Sequence, residues 1–293
     1  MRKPTSVQNA RNLYGSGEAV KLAAKARWVR REALEMCVWA GKGHLGGAFS
    51  VTDILVSIYY TGLFRVSPQW LGKSGRDRII FSKGHAALAL YPILGDLGFF
   101  PVGKLKEYGE DGGMLGGHPD HFIPGVEISS GSLGHGLSIA AGLALSGRLS
   151  SKDYLSIAVL GDGECNEGSV WEAAMFGSQQ ELGRLIAIID NNGVGATDFT
   201  ARYLGPEPMA GRWRAFGWQT VEVDGHNFQE ITAVLRDLRH RPERGKPLAI
   251  IAKTVKGRGV PFMENDPRWH HGVPKGELLE QARRLLSTEQ TLY

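Results

Sequence analysis

Apolar residues recur every three or four positions over residues 18–40. Leu22, Ala26, Val29, Ala33, Met36 and Ala40 share one helical stripe, with Lys25, Arg30 and Arg31 assigned to the surface. Gly41 ends this helix. Further along, the pattern changes from stripes to blocks. Residues 78–81, 154–160, 185–189 and 248–254 are short, largely apolar runs, and runs of this length bounded by turn residues read as buried strands; a further strand is expected at 219–223. Segments 53–60, 137–149 and 169–182 and the stretch after His85 read as helices, with an amphipathic helix at 277–286. Strands alternating with helices predict a doubly wound, mainly parallel α/β sheet. The clearest βαβ unit is 154–160, 169–182 and 185–189, and both of its strands end on one edge of the sheet.

That edge carries the most informative chemistry. Gly161-Asp162-Gly163-Glu164-Cys165-Asn166-Glu167-Gly168 follows the first strand of the unit, and Asn192 follows the second. A carboxylate at the glycine-rich start of a helix repels the bare phosphate that a helix N-terminus attracts. A divalent cation resolves the conflict. One Asp carboxylate, one Asn amide oxygen and a main-chain carbonyl just beyond it leave octahedral positions for diphosphate oxygens and water, as magnesium requires. The loop lacks the third glycine of a dinucleotide-binding turn and carries an acid inside, which weighs against a nicotinamide cofactor.

Four histidines mark further loops. His44, His85, His118 and His271 each stand beside Gly or Pro at a junction between predicted elements, where side chains face a cleft rather than a helix core. Imidazoles there polarise carbonyls, hold hydroxyls or pair with phosphate. A zinc pair of His118 and His121 is the weaker reading, because no Cys ligand or second pair accompanies it. No serine or cysteine triad has a supporting signature.

Composition narrows the class. At 293 residues the chain is long enough for a large core, and the absence of repeats or low-complexity tracts favours a single domain over 1–293. An N-terminal extension is expected at about 1–18 and a C-terminal helix within about 275–293. No apolar run approaches the length of a membrane span, no secretory h-region follows the N-terminus, and Cys37 and Cys165 are too few for a disulfide framework. A cytoplasmic protein is expected. The net charge of +4 comes partly from basic clusters at 27–31 and 236–244. They carry no interleaved aromatics, so they read as solvated helix faces rather than a nucleic-acid surface. Forty glycines, many beside histidines, indicate loops that a ligand approaches closely.

Together these segments resemble the transketolase family. The resemblance rests on Gly43-His44, Lys83-Gly84-His85, Gly117-His118-Pro119, Gly131-Ser132-Leu133-Gly134-His135-Gly136, Gly161-Asp162-Gly163 through Asn192, and His271-Gly272-Val273-Pro274, in the family's order from about 19 to 274. It is similar to the N-terminal, diphosphate-binding half, which implies a thiamine-diphosphate-binding domain of the diphosphate (PP) type. By that resemblance Asp162, Asn192 and the Val194 carbonyl hold magnesium, with Ca2+ or Mn2+ as substitutes. His85, Gly131, Leu133, Gly163 and His271 contact the cofactor, Glu167 lies toward a subunit interface, and His44, His118 and His271 serve the donor ketose and its proton transfers. The pattern departs at Ser132 and His135, where the family carries Pro-Leu-Gly-Gln-Gly, and in the small residues 195–197.

Single-chain transketolases are longer, and their second half binds the aminopyrimidine and the sugar phosphate. The resemblance therefore implies the N-terminal, diphosphate-binding subunit of a split enzyme, paired with a second, pyrimidine-binding subunit in an α2β2 heterotetramer that acts on sugars or sugar phosphates. Two rivals remain at this point: the α subunit of a 2-oxo acid dehydrogenase, and a non-catalytic cofactor-binding subunit.

Overall fold

The computed structural model describes residues 16–203 and 208–287. Most of the expected N-terminal extension, and the chain beyond the closing helix, lie outside these residues. Five strands form one wholly parallel sheet: β1 Arg78–Phe81, β2 Ser156–Gly161, β3 Leu185–Asn191, β4 Gln219–Asp224 and β5 Leu248–Lys253, in the order β1-β2-β3-β5-β4. Among the described residues the α-helices are α1 Ser16–Ala40, α2 Leu45–Tyr60, α3 Ala87–Asp96, α4 His135–Leu149, α5 Gly168–Gln179, α6 Met209–Ala215, α7 Phe228–Asp237 and α8 Gly276–Ser287. The doubly wound architecture is as expected.

Strand periodicity sorts the core into two layers. Ile79, Phe81, Ile157, Val159, Ile186, Ile188 and Ile250 project into a layer shared with α1, α2, α3 and α7. Their neighbours Ile80, Ala158, Leu160, Ala187, Ile189, Ala249 and Ile251 project the other way, onto α4, α5 and α6. Because both faces are covered, the central strands read as continuous apolar blocks rather than alternating ones. In register, Ile157 lies between Ile79 and Ile186, and Gly161 faces Asp190, so β2 and β3 end side by side.

Three local expectations are corrected. Helix α2 begins at Leu45, eight residues before the expected 53. Its first turns hold Gly46 and Gly47, poor helix formers, yet residues 45–59 are all buried, and burial outweighs propensity. Helices α6 and α7 were not anticipated, although Asn227 caps α7 by accepting the amides of Gln229 and Glu230. Arg30 is not a surface residue. It is 3% exposed, and its guanidinium grips Asp53 of α2 at 3.0 and 2.6 Å and donates twice to the Phe49 carbonyl. The basic stretch at 236–244 is likewise partly internal. Arg239 bonds the buried Asp77 and the Leu63 carbonyl, and Arg241 bonds the Gly183 carbonyl.

Removing one partner of a buried ion pair strands the other, at a cost of about 3–5 kcal/mol. Arg30→Ala is thus expected to lower unfolding free energy by about 3 kcal/mol or more in urea titration. A loss under about 1 kcal/mol would show that water or relaxation replaces the guanidinium.

Candidate active site

The C-terminal ends of β1, β2 and β3, and the loop after β5, converge on a cleft of about 350 Å3 lined by Lys83, His85, Asp162, Gly163, Glu164, Asn192, Val194 and Lys256, among others. Asp162 is the first residue beyond β2 and is 3% exposed. Its carboxylate accepts main-chain amides from Gly163 at 2.8 Å and Gly193 at 2.6 Å. Burial and the neighbouring Asp190 push its pKa up to about 6 against the pull of those amides. A buried carboxylate in that position is short of positive charge.

Asn192 offers the second oxygen. Its Nδ2 donates to Ser50 Oγ at 3.2 Å and Asp190 Oδ2 at 3.3 Å, and its Oδ1 accepts the Val194 amide at 3.1 Å. These partners fix the amide's orientation. The anchor beneath is Asp190, fully buried and bonded by Ser50, Lys83 and Thr254. Burial opposes its ionisation, yet Lys83 and the two hydroxyls hold its carboxyl below the usual range. An Asp carboxylate, an Asn oxygen and the Val194 carbonyl make a hard, all-oxygen donor set suited to Mg2+ rather than to a soft metal. These residues fit the cation and diphosphate inferred from the sequence.

Glu164 and Lys256 also line the cleft. Buried Glu164 takes the Gly134 amide at 2.9 Å, the Gly161 amide at 3.1 Å and the Ser82 hydroxyl, so one carboxylate ties loop 131–136, with Gly131 and Leu133, to the ends of β1 and β2. Lys256 is 2% exposed. Its ammonium donates to the carbonyls of Val194 at 3.2 Å and Gly195 at 2.5 Å and contacts His270 Nδ1 at 2.9 Å. Burial and Lys83 lower its pKa to about 8. Gly195 has a steric purpose: a Cβ there would lie 1.6 Å from the Tyr203 hydroxyl, which lines the cleft.

The histidines form one cluster. Ring centroids of His44 lie 4.2 Å from His271, 5.2 Å from His270, 5.5 Å from His85 and 6.0 Å from His118. Burial, then His271, His118 and Lys256, lower His44 to about 4. Burial, then Lys256, lower His270 to about 3. His85 is held well below its ordinary value by burial and Lys83. These rings are neutral at pH 7, and His44 Nδ1 is buried without a hydrogen-bond partner. His44, His270 and His271 each bring a ring nitrogen within 4.8 Å of the others, but the single lone pair of His270 Nδ1 is taken by the Lys256 ammonium at 2.9 Å. The zinc pair also fails, since His121 turns to Ser129 Oγ at 2.9 Å and to Asp120.

Residues 22–290 match the family described as "Transketolase, thiamine diphosphate binding domain". The chain belongs to this family. It is 39% identical over 258 residues to an apulose-4-phosphate transketolase subunit of Phocaeicola vulgatus, covering 88% of this chain and 91% of that protein. It is 36% identical to the 6-deoxy-6-sulfo-D-fructose transketolase subunit SqwG of a Clostridium species, covering 94% and 99%. Among solved structures, the transketolase of Campylobacter jejuni superposes with a TM-score of 0.80 at 26% identity. A Pichia stipitis transketolase complex with sedoheptulose-7-phosphate gives 0.81 at 25%. The alignments cover 92% of this chain in both cases, but only 43% and 41% of those longer chains.

Within this transketolase domain, His85, Gly131, Leu133, Asp162, Gly163, Asn192 and Val194 line one cleft, and His44, His118 and His271 join His85 in its ring cluster. Glu167 stands apart, exposed at the N-terminus of α5. The sequence reading passed over Lys83, Glu164, Asp190, Tyr203, Lys256 and His270. Lys256 follows β5 in Thr254-Val255-Lys256-Gly257, so the strand-end reasoning that found Asp162 also reaches it.

Proposed function

We propose that this chain is the diphosphate-binding subunit of a magnesium- and thiamine-diphosphate-dependent transketolase. It would move a two-carbon ketol unit from a ketose to an aldose acceptor with a second, pyrimidine-binding polypeptide, as an α2β2 assembly in the cytoplasm. The carrying observation is the convergence of Asp162, Asn192 and the Val194 carbonyl at one cleft, beside a cluster of histidine rings. Relatives of matching length are themselves named transketolase subunits, which supports the split arrangement and the reading of residues 1–293 as a single domain.

Bound here, the cofactor supplies an electron sink for cleaving the bond beside a ketose carbonyl. This chain's residues position groups and move protons. Asp162, Asn192 and Val194 hold the cation, while Gly163, His85 and Lys256 face the diphosphate. His44, with His271 and His118 beside it, would hold a donor hydroxyl and move its proton. The 2-oxo acid dehydrogenase reading has no use for this cluster.

The deciding experiment mixes the chain with its pyrimidine-binding partner, Mg2+, thiamine diphosphate, an isotope-labelled ketose and an aldose. Label in a two-carbon-extended aldose is expected. Decarboxylation of pyruvate without ketol transfer would overturn the reading in favour of the dehydrogenase class. In the same assay His44→Ala, His118→Ala and His271→Ala should each cost about 100-fold or more. Their melting temperatures should change little, since none of the three sits in the packed core. Wild-type turnover by all three would remove the histidines from the mechanism.

A further inference from the structure

The loop that presents Lys256 is held at every residue. Thr254 donates its amide to Asn191 O at 3.2 Å and Gly257 to Gly46 O at 3.0 Å, while Lys256 O accepts the Asn265 amide at 2.9 Å. Val255 N–H goes instead to a side chain, His226 Nε2, at 2.8 Å. His226 stands in Asp224-Gly225-His226-Asn227, between β4 and α7. Its other nitrogen, Nδ1, lies 2.6 Å from Asp53 Oδ2, the carboxylate that Arg30 grips with both terminal nitrogens. Both side chains are nearly buried, at 9% and 6% exposed.

The partners settle the ring's state. A main-chain N–H only donates, so Nε2 carries a lone pair and the ring proton resides on Nδ1, pointing at Asp53. An ion pair between α1 and α2 thereby fixes the tautomer and angle of an imidazole whose far edge holds the amide next to Lys256. We propose that Arg30, Asp53 and His226 form a relay that positions Lys256, which makes His226 a positioning residue for anion binding in the cleft. If the Val255 amide is released, the Lys256 backbone shifts and its ammonium leaves the Val194 and Gly195 carbonyls. The consequence for ligand binding rests on the cofactor reading above; the relay itself does not.

Two substitutions separate the two ends of the imidazole. Gln places an amide oxygen where Nε2 stands and retains the bond from Val255. Asn places its amide where Nδ1 stands, retains Asp53 and loses Val255. The measurements are amide hydrogen exchange across 254–258 and calorimetric Kd for thiamine diphosphate with saturating Mg2+, both on the full chain, for wild type, H226Q, H226N, K256M and H226N/K256M. H226N should speed exchange at 255–257 by about tenfold and weaken cofactor binding by about tenfold, the loss of one main-chain hydrogen bond. H226Q, which keeps the Val255 bond but gives up Asp53, should fall between wild type and H226N in both, at about threefold.

On the K256M background H226N should add less than about threefold, because it acts through the missing ammonium. Equal damage from H226Q and H226N, or fully multiplying effects in the double variant, would overturn the relay. If wild type fails to bind thiamine diphosphate even with the pyrimidine-binding polypeptide present, the cofactor reading falls, and the exchange comparison alone decides the relay: a split between the two variants supports it and no split overturns it.

Discussion

Asp162→Ala is expected to abolish the joint stabilisation of this chain by Mg2+ and thiamine diphosphate. A ligand present at 100 times its Kd adds about 2.7 kcal/mol to the native state. For a domain of this size that raises Tm by several degrees. Asp162 is the charged member of the proposed cation site, and the other two oxygens, from Asn192 and Val194, are neutral. Without the carboxylate the cation loses its main attraction, and the diphosphate loses the cation. The substitution itself should cost little in the absence of ligand. It leaves the Gly163 and Gly193 amides without an acceptor, but it removes a buried carboxyl whose pKa is raised to about 6. Thermal melts with Mg2+, cofactor, both and neither test this directly. A shift retained in Asp162→Ala, or missing from wild type even beside the partner polypeptide, would mean the cation is held elsewhere.

The second large effect is all-or-none: the chain alone should give no turnover, and a pyrimidine-binding polypeptide should restore it. The cleft holds anionic and cationic groups for a metal diphosphate and imidazoles for a sugar, with Tyr203 as its one phenol. By the family resemblance, the apolar pocket and the carboxylate for the aminopyrimidine belong to the other half. Ile139 on α4, and Met175 and Phe176 on α5, stand 39%, 53% and 40% exposed, apolar surface of the kind a partner covers. Light scattering of the mixture should give the mass of two copies of each chain, and a coupled assay should show ketol transfer only in that peak. Full activity in the purified chain would place the missing groups within it.

The central strands were legible because burial on both faces writes parallel strands as apolar blocks, whereas the edge strand β4, mostly exposed or half-buried, shows only alternating Val221 and Val223. Asp162 and Asn192 were legible for the same reason, since strand ends share one edge. What escaped depends on long-range partners. Nothing local tells that Arg30, on a helix otherwise patterned for the surface, reaches Asp53. The glycines at 46 and 47 hide the start of α2 because burial overrides their propensity. His270 was passed over beside His271, although its ring meets His44 and its Nδ1 meets Lys256. The Asn227-to-Glu230 cap was a local signal for α7 that went unread.

The central claim is that Asp162, Asn192 and the Val194 carbonyl jointly hold a divalent cation. Crystals grown with Mn2+ and thiamine diphosphate test it through the anomalous signal of manganese. The account predicts one peak within about 2.3 Å of all three oxygens, in octahedral surroundings. A peak among His44, His270 and His271 instead, or none near Asp162, would contradict it.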